Sequence, residues 1–278
     1  REMSDVNSEK PFLYKSYSAT RRVQNAEIKY FLPEIPNKLS IKIIDDQNRI
    51  VLEKDGVLNE DSNEEGSSWF GPKNKNPLMK KGLNNYTWNL RYPGASEFEG
   101  MITWSAKPSL GPIAPPGVYE IELTVDDQRF KTSIEVKKDP RIEISDEIIR
   151  KQFDFAMDIM RQTDLANKSV MKIRSIKNQL NEISSKSSLA KSKKIKSLIY
   201  RLEKIESSIY QTKNQSGQDP LNFPIKVNNR LAYLRKSVES GDGILTKGSI
   251  KVYNELKDEL SNYLIRLNLL YNESTKYL

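Results

Sequence analysis

Two carboxylates stand one residue apart in the stretch SEFEGMITW, Glu97 and Glu99, with Trp104 close behind. A glycosidase needs two acids facing each other across a sugar, roughly 5–9.5 Å apart. Alternate residues of one extended segment point the same way, so this pair reads as solvated charge rather than as a facing pair. Asp45-Asp46 and Glu64-Glu65 fall in turn and loop sequence and read the same way. Glu60, Asp61 and Glu64 could attract calcium, but the D-x-[DN]-x-[DN]-G spacing of a calcium loop is missing. The 278 residues include no His and no Cys, which removes thiol nucleophiles, disulfides, imidazole or thiolate metal sites and His-based triads. No Gly-rich phosphate loop is present. The expectation is no catalytic residue, no cofactor and no metal.

Positive charge is the more serious candidate. The net charge is +8. Residues 1–140 hold 20 Lys and Arg against 21 Asp and Glu, and residues 141–278 hold 25 against 16. Lys191, Lys193, Lys194 and Lys196 cluster at the start of one helical segment, and Lys172, Arg174 and Lys177 lie on the one before it. Such a face could attract nucleic acid, anionic lipid or an acidic partner. Aromatic residues are not interleaved with the lysines and no nucleic-acid motif is present, which argues against nucleic acid. Trp69 and Phe70 stand out in a polar stretch as a possible partner surface, and Trp69 with Trp104 could form a carbohydrate platform. No run of about 18 apolar residues predicts a membrane span. The opening REMSDVNSEK has no apolar signal region, and a start without Met suggests a processed chain or a piece of a longer one.

The elements that must position these residues change character near Asp139-Pro140. Before it, apolar residues alternate with period two; after it, they recur every three or four. The reading is an α+β chain: an extension over 1–25, an Ig-like or fibronectin-like β-sandwich over 26–140 with a long loop at 54–85, and an antiparallel α-helical bundle of four segments over 141–278. Strands are expected over 26–32, through Leu39, Ile41 and Ile43, and on through Ile50 and Leu52. A hairpin over 118–137 turns at Asp126-Asp127-Gln128, after a type II corner at Pro116-Gly117. Phe12, Tyr14 and Tyr17 could anchor the extension. Ser145 should cap a first helix close to forty residues long. Asp219-Pro220 should open the third helix and Thr246 cap the fourth.

The segment YTWNLRYPG completes the reading. As a strand it buries Tyr86, Trp88 and Leu90 and exposes Thr87, Asn89 and Arg91, so its rings, with Tyr119, are core rather than platform. WNLRYPG, GMITWSAKPSLGPIAPPGVYEIELTVD, KKDPRIEIS and QDPLNFPIKVNNRLAYL together resemble the C-terminal region of large secreted bacterial proteins. Those proteins carry sortilin-like, Asp-box-repeat β-propellers and are labelled "glycosyl hydrolase"; in them an Ig-like domain precedes a helical region. The Asn/Lys/Ile-rich composition is similar to that of Bacteroidetes proteins. The resemblance covers roughly residues 26–270, and the Asp-box pattern S-x-D-x-G-x-x-W is absent from it. It implies an extracytoplasmic location, in the periplasm, at the outer membrane or secreted. With the Asp-box pattern and any His or Cys absent, the hydrolase label does not carry over, and the expectation is a non-catalytic module that docks onto a protein partner in a cell-envelope or secreted complex, or onto the propeller of its own parent chain. The alternatives are polyanion binding through the basic helical face and carbohydrate binding.

Overall fold

The computed structural model describes residues 10–15, 18–21, 25–58 and 76–278. Tyr17, Glu60, Asp61, Glu64, Glu65, Trp69 and Phe70 lie outside the described residues, so the aromatic anchor and the acidic loop expected there receive no structural account. The chain divides into two compact units. The first comprises Arg1–Pro93 and Ile113–Phe153, the second Gly94–Pro112 and Asp154–Leu278. This partition differs from the linear boundary expected at 140/141. A segment in the middle of the β half belongs to the helical unit, and the first turns of the first helix belong to the β unit.

Among the described residues the strands arise in the order β1 (Phe12–Leu13), β2 (Ser18–Thr20), β3 (Ala26–Leu32), β4 (Leu39–Ile44), β5 (Ile50–Asp55), β6 (Gly82–Trp88), β7 (Arg91–Pro93), β8 (Leu110–Ile113), β9 (Gly117–Val125) and β10 (Gln128–Lys137). A three-stranded sheet runs β1-β3-β6 and a five-stranded sheet runs β2-β10-β9-β4-β5. Alternation dictates their inner faces: Ile28, Tyr30 and Leu32 on β3, Ile41 and Ile43 on β4, and Ile121 and Leu123 on β9 are fully buried. The sheets meet where Trp88 of β6 sets its ring edge-on to Tyr119 of β9, centroids 5.2 Å apart. Tyr119 stands near the start of β9 and donates its hydroxyl to the Pro115 carbonyl at 2.8 Å, the tyrosine corner of immunoglobulin-like sandwiches. Strand order and corner together make this unit an Ig-like sandwich.

Part of the expected extension belongs to this fold. β1 pairs antiparallel with β3 and β2 pairs parallel with β10, so the N-terminal stretch covers an edge of each sheet. Arg21 is buried and donates to the Ile113 and Ala114 carbonyls, tying that stretch down through a guanidinium.

Four local expectations change. The strand begins at Gly82, inside the expected loop, because its register with β3 runs from Ala26↔Trp88 to Leu32↔Gly82. It ends at Trp88: Asn89 is buried, its Oδ1 accepts from the Arg91 N–H at 3.1 Å, and Leu90 turns left-handed at φ 53°. That side-chain-closed turn buries Asn89 and Leu90 together where strict alternation exposed Asn89. A register shift between Ile43 and Ile44 leaves Ile50 half exposed and buries Val51 in its place. Gly117 is nearly extended, at φ 159°, and already begins β9 instead of turning a type II corner.

The helices are α1 (Asp146–Ser185), α2 (Leu189–Ile209), α3 (Val227–Val238) and α4 (Lys247–Ser274). Ser145 Oγ accepts from Ile148 N–H at the start of α1, and Thr246 Oγ1 accepts from Ser249 N–H at 3.0 Å to cap α4. Asp219-Pro220 opens only a 3-10 turn, Asp219–Leu221. Pro224 follows at once, its ring biasing the preceding residue away from the helical region, and α3 starts beyond it. Within the second unit one apolar core joins the helices through Val170, Ile173 and Leu180 of α1, Leu198 and Leu202 of α2, Leu231 of α3 and Leu256 and Leu260 of α4.

Candidate functional site

The stretch holding Glu97, Glu99 and Trp104 lies in the helical unit, so its geometry can be built against α1, α2 and α3. Gly94 opens it at a point where a Cβ would meet the Ser109 backbone at 2.3 Å, so only glycine fits. Asn167, fully buried on α1, donates Nδ2–H to the Ser96 carbonyl at 2.7 Å and accepts at Oδ1 from Asn228 Nδ2 of α3 at 3.0 Å. Asn229 Oδ1 accepts from the Trp104 N–H at 2.6 Å, and its Nδ2 donates to the Trp104 carbonyl at 2.9 Å. Tyr210, at the end of α2, accepts from the Ile102 N–H at 3.0 Å and donates to the Gly100 carbonyl at 3.3 Å. Arg235 reaches the Gly111 and Lys107 carbonyls at 3.4 Å each. These side chains supply backbone partners to a segment that is irregular until it reaches β8.

The two carboxylates that suggested hydrolysis do not face one another across a cleft. Both Glu97 and Glu99 are exposed. Glu97 Oε1 accepts from Ser109 N–H at 3.3 Å within its own loop. Phe98 between them turns inward, its ring edge-on to Tyr210 at 4.9 Å with the Arg174 guanidinium 4.6 Å from its centroid. A cavity of about 480 Å³ opens beside it, lined by Glu97, Phe98, Met101, Ile102, Asn214 and Gln215 among others, and Glu97 is its only ionisable lining group. Trp104 is half-buried and held through its backbone.

The buried carboxylate of this unit is Glu206, whose side chain is 5% exposed. Arg174 Nε binds its Oε1 at 2.8 Å and Lys177 Nζ its Oε2 at 3.0 Å. Both cations had been read into the basic face, and the structure turns them to this pair. Lys172 likewise lies over the Tyr271 ring, 3.8 Å from its centroid. Lys191, Lys193, Lys194 and Lys196 are all exposed on α2.

The sandwich buries a matching network. Asp45, its side chain 2% exposed, accepts from Gln47 and Arg49 N–H at 2.9 and 2.8 Å, from Arg49 Nε at 2.6 Å and from Tyr92 hydroxyl at 2.8 Å. Burial pushes this carboxyl up, but those four hydrogen bonds outweigh it and hold the group below the usual aspartate value. Burial drives the Tyr92 hydroxyl strongly up, so it remains a donor. Tyr86, Trp88, Leu90 and Tyr119 are at most 2% exposed. A groove of about 840 Å³ in this unit is lined by Asp46, Val118, Glu120 and Lys131 among others. Of its lining charges, Lys131 pairs with Glu120 at 2.7 Å, and Asp46 pairs with Arg150 at 3.2 Å. Among the described residues no group of three or more Asp or Glu is placed to hold a metal ion, and no helix is long and apolar enough to cross a membrane.

The asparagine clasp escaped sequence reasoning. Its signal was a polar residue inside an apolar helical phase: Asn167 beside Ala166 and Val170, and Asn228-Asn229 ahead of Leu231.

No family model and no curated protein matches this chain. Among solved structures it is similar to CopC from Methylosinus trichosporium OB3b, at 14% identity and a TM-score of 0.25 over 48% of this chain and 98% of that one. The Ig-like domain of human leucine-rich repeat-containing protein 4 matches at 14% identity and 0.22, over 51% of this chain and 99% of that one. The titin domains Z1Z2 in complex with telethonin match at 10% identity and 0.22, over 48% and 50%.

Proposed function

We propose that this chain is a non-catalytic interaction and structural module of a larger extracytoplasmic protein. Its partner would be a protein of a cell-envelope or secreted complex, or the propeller portion of its own parent. The observation that carries the reading is the fate of the 94–112 stretch. Its carboxylates point to solvent, and its backbone and inward ring are spent on the helical core. Hydrolysis needs two acids held apart in one cleft, whereas here one ionisable group lines the adjacent cavity. The extracytoplasmic setting and the propeller parent rest on the sequence resemblance.

The test is to isolate the natural-length protein with its neighbours cross-linked, and to assay the 278-residue chain against glycoside and peptide substrates. The expected result is cross-links from this chain to a protein partner and no turnover. Turnover abolished by Glu97→Gln or Glu99→Gln would overturn the reading.

A further inference from the structure

The helical unit carries its excess charge along one helix. Residues 183–202 contain six Lys and Arg and no Asp or Glu. Arg201 pairs with Glu273, but Lys186, Lys191, Lys193, Lys194 and Lys196 are exposed with no ion pair among the described residues. Helix stability does not explain this placement. A helix N-terminus is electropositive and favours acids, yet α2 has none in its first turn and Ser188 makes no side-chain cap.

The side chains facing outward form an ordered stripe. Leu189, Lys193, Lys196, Tyr200 and Lys204 follow at steps of four, three, four and four, which puts them on one face. That face lies opposite the buried Ile195, Leu198, Leu202 and Ile205. Leu189 is 88% exposed and Tyr200 58%, and Lys204 Nζ sits 5.0 Å from the Tyr200 ring centroid. The stripe therefore interleaves apolar or aromatic groups with cations, and the one acid on its flank, Glu203, is engaged by Lys177 of α1 at 3.3 Å.

We propose that this face of α2 is a peripheral contact for an anionic lipid surface. Lys193, Lys196 and Lys204 meet headgroup phosphates, while Leu189 and Tyr200 enter the headgroup boundary. Charge complementarity selects an anionic partner. The stripe has lysines and no arginine, hence compact charges rather than the planar forks that read phosphates bidentately in nucleic acids. An apolar side chain left in water at the helix start, and a tyrosine with a wet hydroxyl, match an interfacial boundary. The helix lies on the surface and does not span it. The inference uses the helical unit alone and is independent of the protein partner proposed above.

The experiment is co-sedimentation of the 278-residue chain with phosphatidylcholine vesicles, with and without phosphatidylglycerol, and in competition with duplex DNA. Binding is expected only to the anionic vesicles and is expected to fall with added salt. Lys193→Glu/Lys196→Glu/Lys204→Glu should weaken it on the order of 100-fold, since each lysine near such a surface is worth about fivefold. Leu189→Ser/Tyr200→Ser should weaken it roughly tenfold with its salt dependence kept. All five side chains are exposed on the outer face, and replacing the three lysines by Gln, which preserves helix propensity, must also weaken binding. The proposal is overturned if anionic vesicles do not bind the chain, or if neutral vesicles bind it equally. It is also overturned if DNA displaces the vesicles while Leu189→Ser/Tyr200→Ser has no effect, which would assign the face to nucleic acid.

Discussion

The two units bury their polar groups by different routes. In the sandwich, Asp45 is satisfied almost entirely by its own turn: Gln47 and Arg49 lie within four residues, and only Tyr92 comes from afar. In the helical unit, Asn167, Tyr210, Asn229 and Arg235 all reach to a stretch 71–128 residues away in sequence. A sheet satisfies most of its backbone through neighbouring strands, so a buried carboxylate such as Asp45 can be served by its own turn, although Arg21 reaches the Ile113 and Ala114 carbonyls from afar. A bundle that adopts a foreign segment must satisfy that backbone with side chains, so its buried polar residues become long-range. The difference also follows charge. The sandwich unit carries 22 Lys and Arg against 22 Asp and Glu, whereas the helical unit carries 23 against 15.

The comparison can be broken hardest in the sandwich. Trp88 is fully buried between the sheets, and Trp88→Ala should cost about 3–5 kcal/mol through the cavity it leaves. Denaturant unfolding followed by far-UV circular dichroism should show the β signal lost first. An equal loss in the helical signal would mean that the units do not unfold separately.

Asp45 gives the next effect and carries a pH signature. Its native-state pKa is lowered, so its contribution is present above the unfolded aspartate value, about 3.9. It is lost as pH falls from there through the lower native value. Asp45→Asn should therefore destabilise the neutral protein and flatten the acid limb of stability against pH. A parallel limb in the variant would mean that Asp45 is not held ionised by its turn.

In the helical unit, Asn229→Ala removes both hydrogen bonds to the Trp104 backbone, at a cost of about 1–3 kcal/mol. It should also change Trp104 fluorescence. The smallest effect is Tyr119→Phe, which loses the hydroxyl bond to Pro115 and should cost about 1 kcal/mol. Its unfolding is read by the same denaturant titration.

Legibility in the sequence follows the same division. Period-two alternation found β3 and the β9–β10 hairpin because each inner face is a local pattern. The helical spacing of Val170, Ile173 and Leu180 found their core for the same reason. The end of β6 was missed because the Asn89 side chain captures the Arg91 N–H, a competition that hydropathy does not register. Membership of 94–112 in the helical unit was missed because its determinants are single asparagines and a tyrosine distant in sequence. Glu97 and Glu99 were legible as solvated charge from their spacing alone, whereas the inward turn of Phe98 between them depends on Tyr210 and Arg174 far away in sequence.

The central claim is that the 94–112 stretch is a structural part of the helical core. Hydrogen exchange of the Ile102 and Trp104 amides, which donate to Tyr210 and Asn229, tests it most directly. The account predicts protection comparable to that of the core amides of α1 and α2, and its loss in Asn229→Ala. Exchange as fast as that of an unstructured peptide would contradict it.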